Sequence, residues 1–390
     1  MHSRAPSRVA TMTNTVPIYL DHNATTPLLP EVVDAMLPYF REHFGNPSSS
    51  HPYGVRARQA VDQARAKVAA LLGCEPSEVL FTSGGTEANN LAIRGVCEAW
   101  PERRGVVTSV IEHPATARPC TWLERRGQRV TRLGVDTRGR VSADHAGEAI
   151  DADTALVTVM HSNNETGVLQ PIQALARLCH QAGALMHTDA AQSVGKLPVD
   201  VRQLGVDLLS VAGHKLYAPK GVGALYLRRG VRLSPLLLGA GHEAGRRPGT
   251  ENVASIVGLG VACEVVGRDL LAAGVRMAQL RDLLWRRLES GIPGLLLNGD
   301  PLDRLPNTLN VRLPGASGSA VLAAAPEVAA STGSACHEGA ESASPVIVAM
   351  GVGPVAALGS IRLTLGRGST EDEALRAADC LVRAWREVIG

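Results

Sequence analysis

Apolar positions along the chain recur on two different periods. Val61, Ala64, Val68, Leu71 and Leu72 share one face of a helix that the spacing places over Val55–Leu72, with Gly73 as its stop. Ala88–Val96 and Ile172–Gln181 carry helical patterns, and a longer one runs from Val253 to Leu288. Short β-rich apolar runs intervene at Val79–Thr82, Gly105–Val110, Ala155–Met160, Ala184–Thr188, Leu208–Ala212 and Gly223–Leu227. From about residue 50 to 230 the two kinds of segment alternate. This is the signature of a parallel sheet flanked by helices and joined by right-handed crossovers.

Past the Gly/Arg-rich stretch Gly239–Thr250 the pattern becomes mixed α+β. It holds a strand near Thr308–Leu313, a Gly/Ala/Ser-rich loop at Ser331–Ala340 and a final helix from Thr370. With 390 residues and about one domain per 150, two unequal domains are expected. The boundary is placed near residue 270, giving a large domain over 17–270, its first residues packing with the small one, and a small domain over 271–390.

Composition removes several function classes. No run approaches the ~18 uncharged apolar residues that span a bilayer, so no membrane partner is expected. Lys and Arg number 39 against 37 Asp and Glu, a net charge of +2, and the arginines are scattered, which argues against direct nucleic-acid binding. Seven cysteines form no CxxC pair and no Cys/His spacing suited to a metal, so they read as reduced cytoplasmic thiols with no metal site. Residues 1–16 carry arginines, no acid and no apolar core of a secretory signal, and are expected to be a flexible extension.

Four segments carry candidate chemistry. Lys215 follows an apolar strand and a Gly-His pair in LLSVAGHKLYAPKGVG. Desolvation there lowers an amine's pKa, as Schiff-base formation needs, although a strand-end lysine can also simply reach solvent. Asp189 ends the Ala184–Thr188 run, where an acid points into the ligand crevice of a parallel sheet or caps a helix. Ser83-Gly84-Gly85-Thr86 opens a helix and offers free N–H groups to a phosphate, although any strand-loop-helix junction can carry glycines. Cys336 lies in STGSACH, among small residues that give a thiol little to pack against, unlike a structural cysteine.

In order along the chain these segments resemble the NifS/IscS-type cysteine desulfurases, pyridoxal 5′-phosphate (PLP) enzymes of the aminotransferase class V family. The likeness runs from Tyr19 to about Glu373 through YLDHNATTPL (19–28), FGNPSSSH (44–51), FTSGGTEANNLAI (81–93), EHPA (112–115) and MHSNNETGVLQPI (160–172). It continues through HTDAAQSVGKLPVD (187–200), GHKLYAPKGVGALY (213–226), RPGTEN (247–252), STGSAC (331–336) and SIRLTLGR (360–367). The resemblance implies an α/β protein of PLP fold type I, with a mostly parallel seven-stranded sheet and a smaller α+β domain.

It also implies site roles. Lys215 carries PLP, Asp189 pairs with the pyridine nitrogen, and His113 stacks on the ring and moves protons. Asn164 and Gln192 bind the ring hydroxyl oxygen, Gly85, Thr86 and His214 hold the phosphate, and Thr250 arrives from the second subunit of a homodimer. Arg362 takes the α-carboxylate of L-cysteine, with Asn164 beside it, and Cys336 accepts the sulfur as a persulfide for a protein acceptor; a neighbouring His337 or His113 is a candidate to favour its thiolate, which at an ordinary pKa of about 8.5 is a small fraction at pH 7. The 26 residues from Cys336 to Arg362 match the longer loop of IscS-like members.

One departure stands at Ala212, where many bacterial members place a phosphate-binding serine; such a bond to a charged group contributes roughly 1.5–3 kcal/mol. Selenocysteine lyases share several of these motifs and are the neighbouring alternative. A PLP scaffold without turnover would not retain Lys215, Asp189, His113 and Cys336 together. Class V transamination or epimerisation would not need the STGSAC cysteine.

Overall fold

The computed structural model describes residues 16–333 and 342–390. The extension read over residues 1–16, apart from Val16, lies outside the described residues, as do Cys336 and His337.

Seven strands form the central sheet in the order Val79–Thr82, Gly223–Leu227, Leu208–Ala212, Leu185–Asp189, Thr154–Thr158, Gly105–Ser109, Arg129–Leu133. Six run in one direction, and Gly223–Leu227 alone is antiparallel to both neighbours. The sheet is covered on both faces because its strands are apolar at successive positions. Leu208 packs toward the Gly85–Ala99 helix with Leu91, Ala92 and Val96. Leu209 turns the other way, into a core shared with the helices Pro52–Leu72, Ile172–Gln181 and Val253–Arg268. Both leucines are fully buried, and each such burial contributes about 1.5–3 kcal/mol.

A second core surrounds an antiparallel three-stranded sheet of Leu296–Leu297, Thr308–Arg312 and Ser360–Thr364. Leu280, Leu284 and Leu288 of the helix Leu270–Gly291 cover it together with Ala377, Leu381 and Trp385 of Glu371–Ile389. Thr370 starts the latter helix with a capping box to Glu373. Ile18 and Leu20 belong to this second core, and Ile18–Tyr19 pairs in parallel with Val328–Ala329. The N-terminal segment therefore crosses from the small core to the large sheet, passing the site on the way.

Two features differ from the sequence pattern. The single helix read over Val253–Leu288 is two, Val253–Arg268 and Leu270–Gly291, broken where Asp269 leaves helical geometry at φ −137° and pairs with Arg367. The strand Arg129–Leu133 escapes the apolar pattern because it is an edge strand with only Leu133 buried.

Candidate active site

Five connections leave the carboxyl ends of codirectional strands and converge, as expected of an open α/β sheet. After Thr82 come Gly85 and Thr86; after Ser109, His113; after Thr158, Met160, Ser162 and Asn164. Asp189 ends its own strand with Gln192 beyond it, and His214 and Lys215 follow Ala212. All of these line one cavity of about 290 Å³.

At one end of the cavity, the Gly85–Ala99 helix presents its first turn, whose N–H groups have no partner within the helix. The approach is tight. Gly84 has φ +145°, a region L side chains rarely adopt, and a Cβ at Gly85 would sit 3.1 Å from the Ala212 Cβ. Glu87 accepts from Ser83 N–H at 2.8 Å and pairs with Arg247 at 2.7 Å, which ties the RPGTEN loop to this helix start. His214 lies alongside with Nδ1 3.2 Å from Thr25 Oγ1, and burial pushes its pKa down to about 4.

Asp189 lines the same cavity. Its Oδ2 accepts from Asn89 Nδ2 at 2.6 Å and its Oδ1 from Ala191 N–H at 3.0 Å. No helix follows it, so the capping alternative gives way to an Asx-type turn at a strand end. Next to it, Glu112 is buried with Oε1 2.5 Å from Ser109 Oγ and both oxygens 3.1 Å from Met160 N–H. Burial pushes that carboxyl up to about 8, so it is largely neutral at pH 7; Asp189, not Glu112, lines the cavity. His113 caps the helix Pro114–Glu124 through Nδ1, which accepts from Ala115 N–H at 3.1 Å. Its neutral ring accordingly carries its proton on Nε2. Burial lowers its pKa, with nearby Asp189 opposing and Lys215 reinforcing the shift.

Lys215 donates to the backbone carbonyls of Asn23 and Ala24, the latter at 2.8 Å. Burial, with Arg362 adding repulsion, lowers its pKa to about 8 although Asp189 and Asp21 pull the other way. Gln192 lines the cavity while Nε2 donates to Asn23 O at 3.0 Å and Oε1 accepts from Lys196 Nζ at 2.8 Å.

Gly85, Thr86, His113, Asn164, Asp189, Gln192, His214 and Lys215 thus share one cavity, whereas Arg362 and Thr250 do not line it. Arg362 stands in the middle of a small-sheet strand, donating to Asn164 O at 3.1 Å and to Asp21 Oδ1 at 2.7 Å. Its Nε is buried without a partner among the described residues. Thr250 is exposed. The sequence reading passed over Asn89, Glu112, Asp21, Asn23 and Lys196. Asn89 had a local signal, since it stands four residues after Gly85 on the same helix face.

Residues 18–376 match the model of the family described as Aminotransferase class-V. The cysteine desulfurase NifS of Azotobacter vinelandii is 47% identical over 359 residues, 91% of this chain and 89% of that protein. A NifS-like protein of known structure superposes with a TM-score of 0.89 at 35% identity, covering 94% of this chain and 99% of that one. The structure of SspA in complex with cysteine gives 0.79 at 36% identity, covering 89% and 98%. This chain belongs to the aminotransferase class-V family, within its NifS/IscS-type cysteine desulfurases, which are PLP enzymes.

Proposed function

We propose that this chain is a PLP-dependent cysteine desulfurase that takes L-cysteine to L-alanine and leaves the sulfur as a persulfide on Cys336 for an acceptor protein. The observation that carries this reading is the meeting of Lys215, Asp189 and the Gly85 helix start on one cavity in a chain nearly half identical to NifS.

The residues present fit PLP. The cavity offers the Gly85 helix start with its N–H donors and Thr86, the Asp189 carboxyl accepting two hydrogen bonds, and the depressed-pKa amine of Lys215. Those are the groups that a phosphate, a pyridine nitrogen and an aldehyde require. Asn89 Oδ1, buried and unpartnered among the described residues, marks the same wall as incomplete without a ligand. In this reading Gly85, Thr86 and His214 hold the phosphate, Asp189 the ring nitrogen, Asn164 and Gln192 the ring hydroxyl oxygen, and Lys215 the aldehyde carbon. When bound, PLP supplies an electron sink for the carbon skeleton of the substrate.

The chain's own groups do the rest. Arg362 binds the α-carboxylate through its planar fork, and its unpartnered buried Nε is the spare donor for that task. The neutral amine of Lys215 removes the Cα proton, while His113, protonated on Nε2, serves in proton transfer from its place on the cavity. The Cys336 thiolate supplies the electron pair of the new S–S bond. The pair from the broken Cβ–S bond stays on the substrate, which leaves as alanine after taking up protons. Among the described residues no cysteine lines the cavity, and burial holds the thiols of Cys74, Cys97, Cys120, Cys179 and Cys263 at about 12, too high to ionise near neutrality.

The working unit in this proposal is a homodimer. Thr250 belongs to an exposed segment tied through Arg247 to the phosphate-binding helix, and Phe44 (73% exposed) and Leu238 (91% exposed) leave apolar surface for a second copy. The test is turnover of L-cysteine by the PLP-loaded protein and by its Cys336→Ala variant. The reading requires equal alanine and persulfide sulfur from the parent and loss of cysteine desulfuration in the variant. Unchanged desulfuration by the variant rejects the persulfide step, and turnover of selenocysteine alone would return the lyase alternative.

A further inference from the structure

Asn23 is fully buried where the two cores meet, and each of its polar atoms is engaged. Its Nδ2 donates to Thr308 Oγ1 at 2.9 Å and to Asn164 O at 3.3 Å, and its backbone N–H donates to Thr364 Oγ1 at 3.0 Å. Its Oδ1 accepts from Asn307 Nδ2 at 3.1 Å and from Lys196 Nζ at 2.8 Å. Its carbonyl accepts from Gln192 Nε2 at 3.0 Å and from Lys215 Nζ. Thr308 and Thr364 lie on the small sheet, whereas Gln192, Lys196 and Lys215 follow strands of the large one. Such a fully satisfied buried network fixes geometry, because any shift leaves several desolvated groups unpaired.

The neighbouring Ala24 carbonyl is the second acceptor for Lys215, at 2.8 Å. Its position is set by a turn in which Ala24 N–H donates to Asp21 O at 2.9 Å. Thr26 then stitches the segment to the lysine's own loop, giving its N–H to His214 O at 2.9 Å and accepting from Tyr217 N–H at 2.8 Å. Lys215 lines the cavity, but Asn23 and Ala24 do not. A neutral primary amine has two N–H bonds and one lone pair. With both N–H bonds committed to carbonyls behind the wall, the lone pair has only the cavity side left.

We propose that Asn23 is a positioning residue for proton transfer: the Asn23 and Ala24 carbonyls cradle the freed amine of Lys215 and turn its lone pair toward the substrate Cα. This rests on the reading of Lys215 as the cofactor-bearing lysine and base. In the step, the Cα–H bond breaks, a third N–H bond forms at Nζ, and the electron pair stays with the substrate carbon. The new N–H lies on the cavity side, where the proton can be returned.

The experiment uses PLP-loaded wild type, Asn23→Ala and the near-isosteric Thr308→Val, which removes one anchor of Asn23 and touches no group placed at the cavity. Each is assayed with L-cysteine and Cα-deuterated L-cysteine, and borohydride reduction with peptide mapping locates the cofactor. The cofactor is expected on Lys215 in all three, with kcat down about 100-fold in Asn23→Ala and about 10-fold in Thr308→Val, KM within about two-fold, and a larger deuterium isotope effect in both. An unchanged kcat and isotope effect in Thr308→Val overturns the proposal even where Asn23→Ala fails to fold. A loss confined to cofactor retention or thermal midpoint also overturns it, since that is what a purely structural residue would give. A wild-type adduct on a residue other than Lys215 instead sinks the underlying reading, and the proposal with it.

Discussion

In the proposed reading the two sheets each bring one cationic side chain to the reaction and hold it in opposite ways. Lys215 sits in the turn beyond a strand of the large sheet, on the cavity wall, with backbone carbonyls as its acceptors among the described residues. Arg362 sits inside a strand of the small sheet, cross-strand from Asn310, behind the wall and fixed by an acid and a carbonyl. A group that must exchange partners during turnover belongs on a loop, where changing bonds leaves the sheet intact. A group proposed to grip a carboxylate is held in place by its strand before substrate arrives, with Nη1 and Nη2 bonded to Asn164 O and Asp21 Oδ1 and Nε the donor without a partner among the described residues.

That contrast can be broken by kinetics. In the proposed reading Lys215→Ala removes the cofactor bond and the base together, and it is expected to lower kcat by about 10⁴-fold, read as alanine formed from cysteine. Arg362→Lys keeps the charge and loses the fork. It is expected to raise KM for L-cysteine by about 10- to 100-fold while kcat stays within a few-fold, and a fall in kcat alone would contradict the division of labour.

Smaller effects come from pH. The Lys215 amine, lowered to about 8, must be neutral to take a proton, so kcat is expected to rise about 10-fold between pH 7 and 9 and then level. Stability should move in a lower window. His22, His161 and His214 are held near 4 and His187 near 3 by burial. The unfolded chain takes up protons below about 6.5 that these folded rings refuse, so stability present above that pH is lost as it falls toward 4. Glu112, raised to about 8, has the opposite sign: its contribution is full below its unfolded pKa and lost as pH rises through 8. His113 is lowered as well and Glu165 raised as well, so the lowered histidines outnumber the raised carboxyls: the thermal midpoint is expected to fall between pH 6.5 and 4.5, and Glu112→Gln should steepen that fall.

The strands Leu208–Ala212 and Gly223–Leu227 and the helix Ile172–Gln181 match the sequence pattern residue for residue, because a buried strand or a one-sided helix writes its period locally. The positions of Lys215 and Asp189 on the cavity follow the same local pattern: Asp189 ends one such strand and Lys215 lies in the turn just beyond another. Asn23 follows no such pattern, although its motif was recognised. Its partners lie 141, 285 and 341 residues away, and nothing in a local period encodes a pairing across that distance. Lys196 was hidden likewise, since a fully buried lysine with two amide-oxygen acceptors looks in sequence like any solvated one.

The most direct test of the whole account is mass analysis of the PLP-loaded protein after one turnover with L-cysteine, without reductant. The account predicts one added sulfur atom on the peptide carrying Cys336 and one alanine released per site. Alanine released with no sulfur retained on that peptide would contradict it.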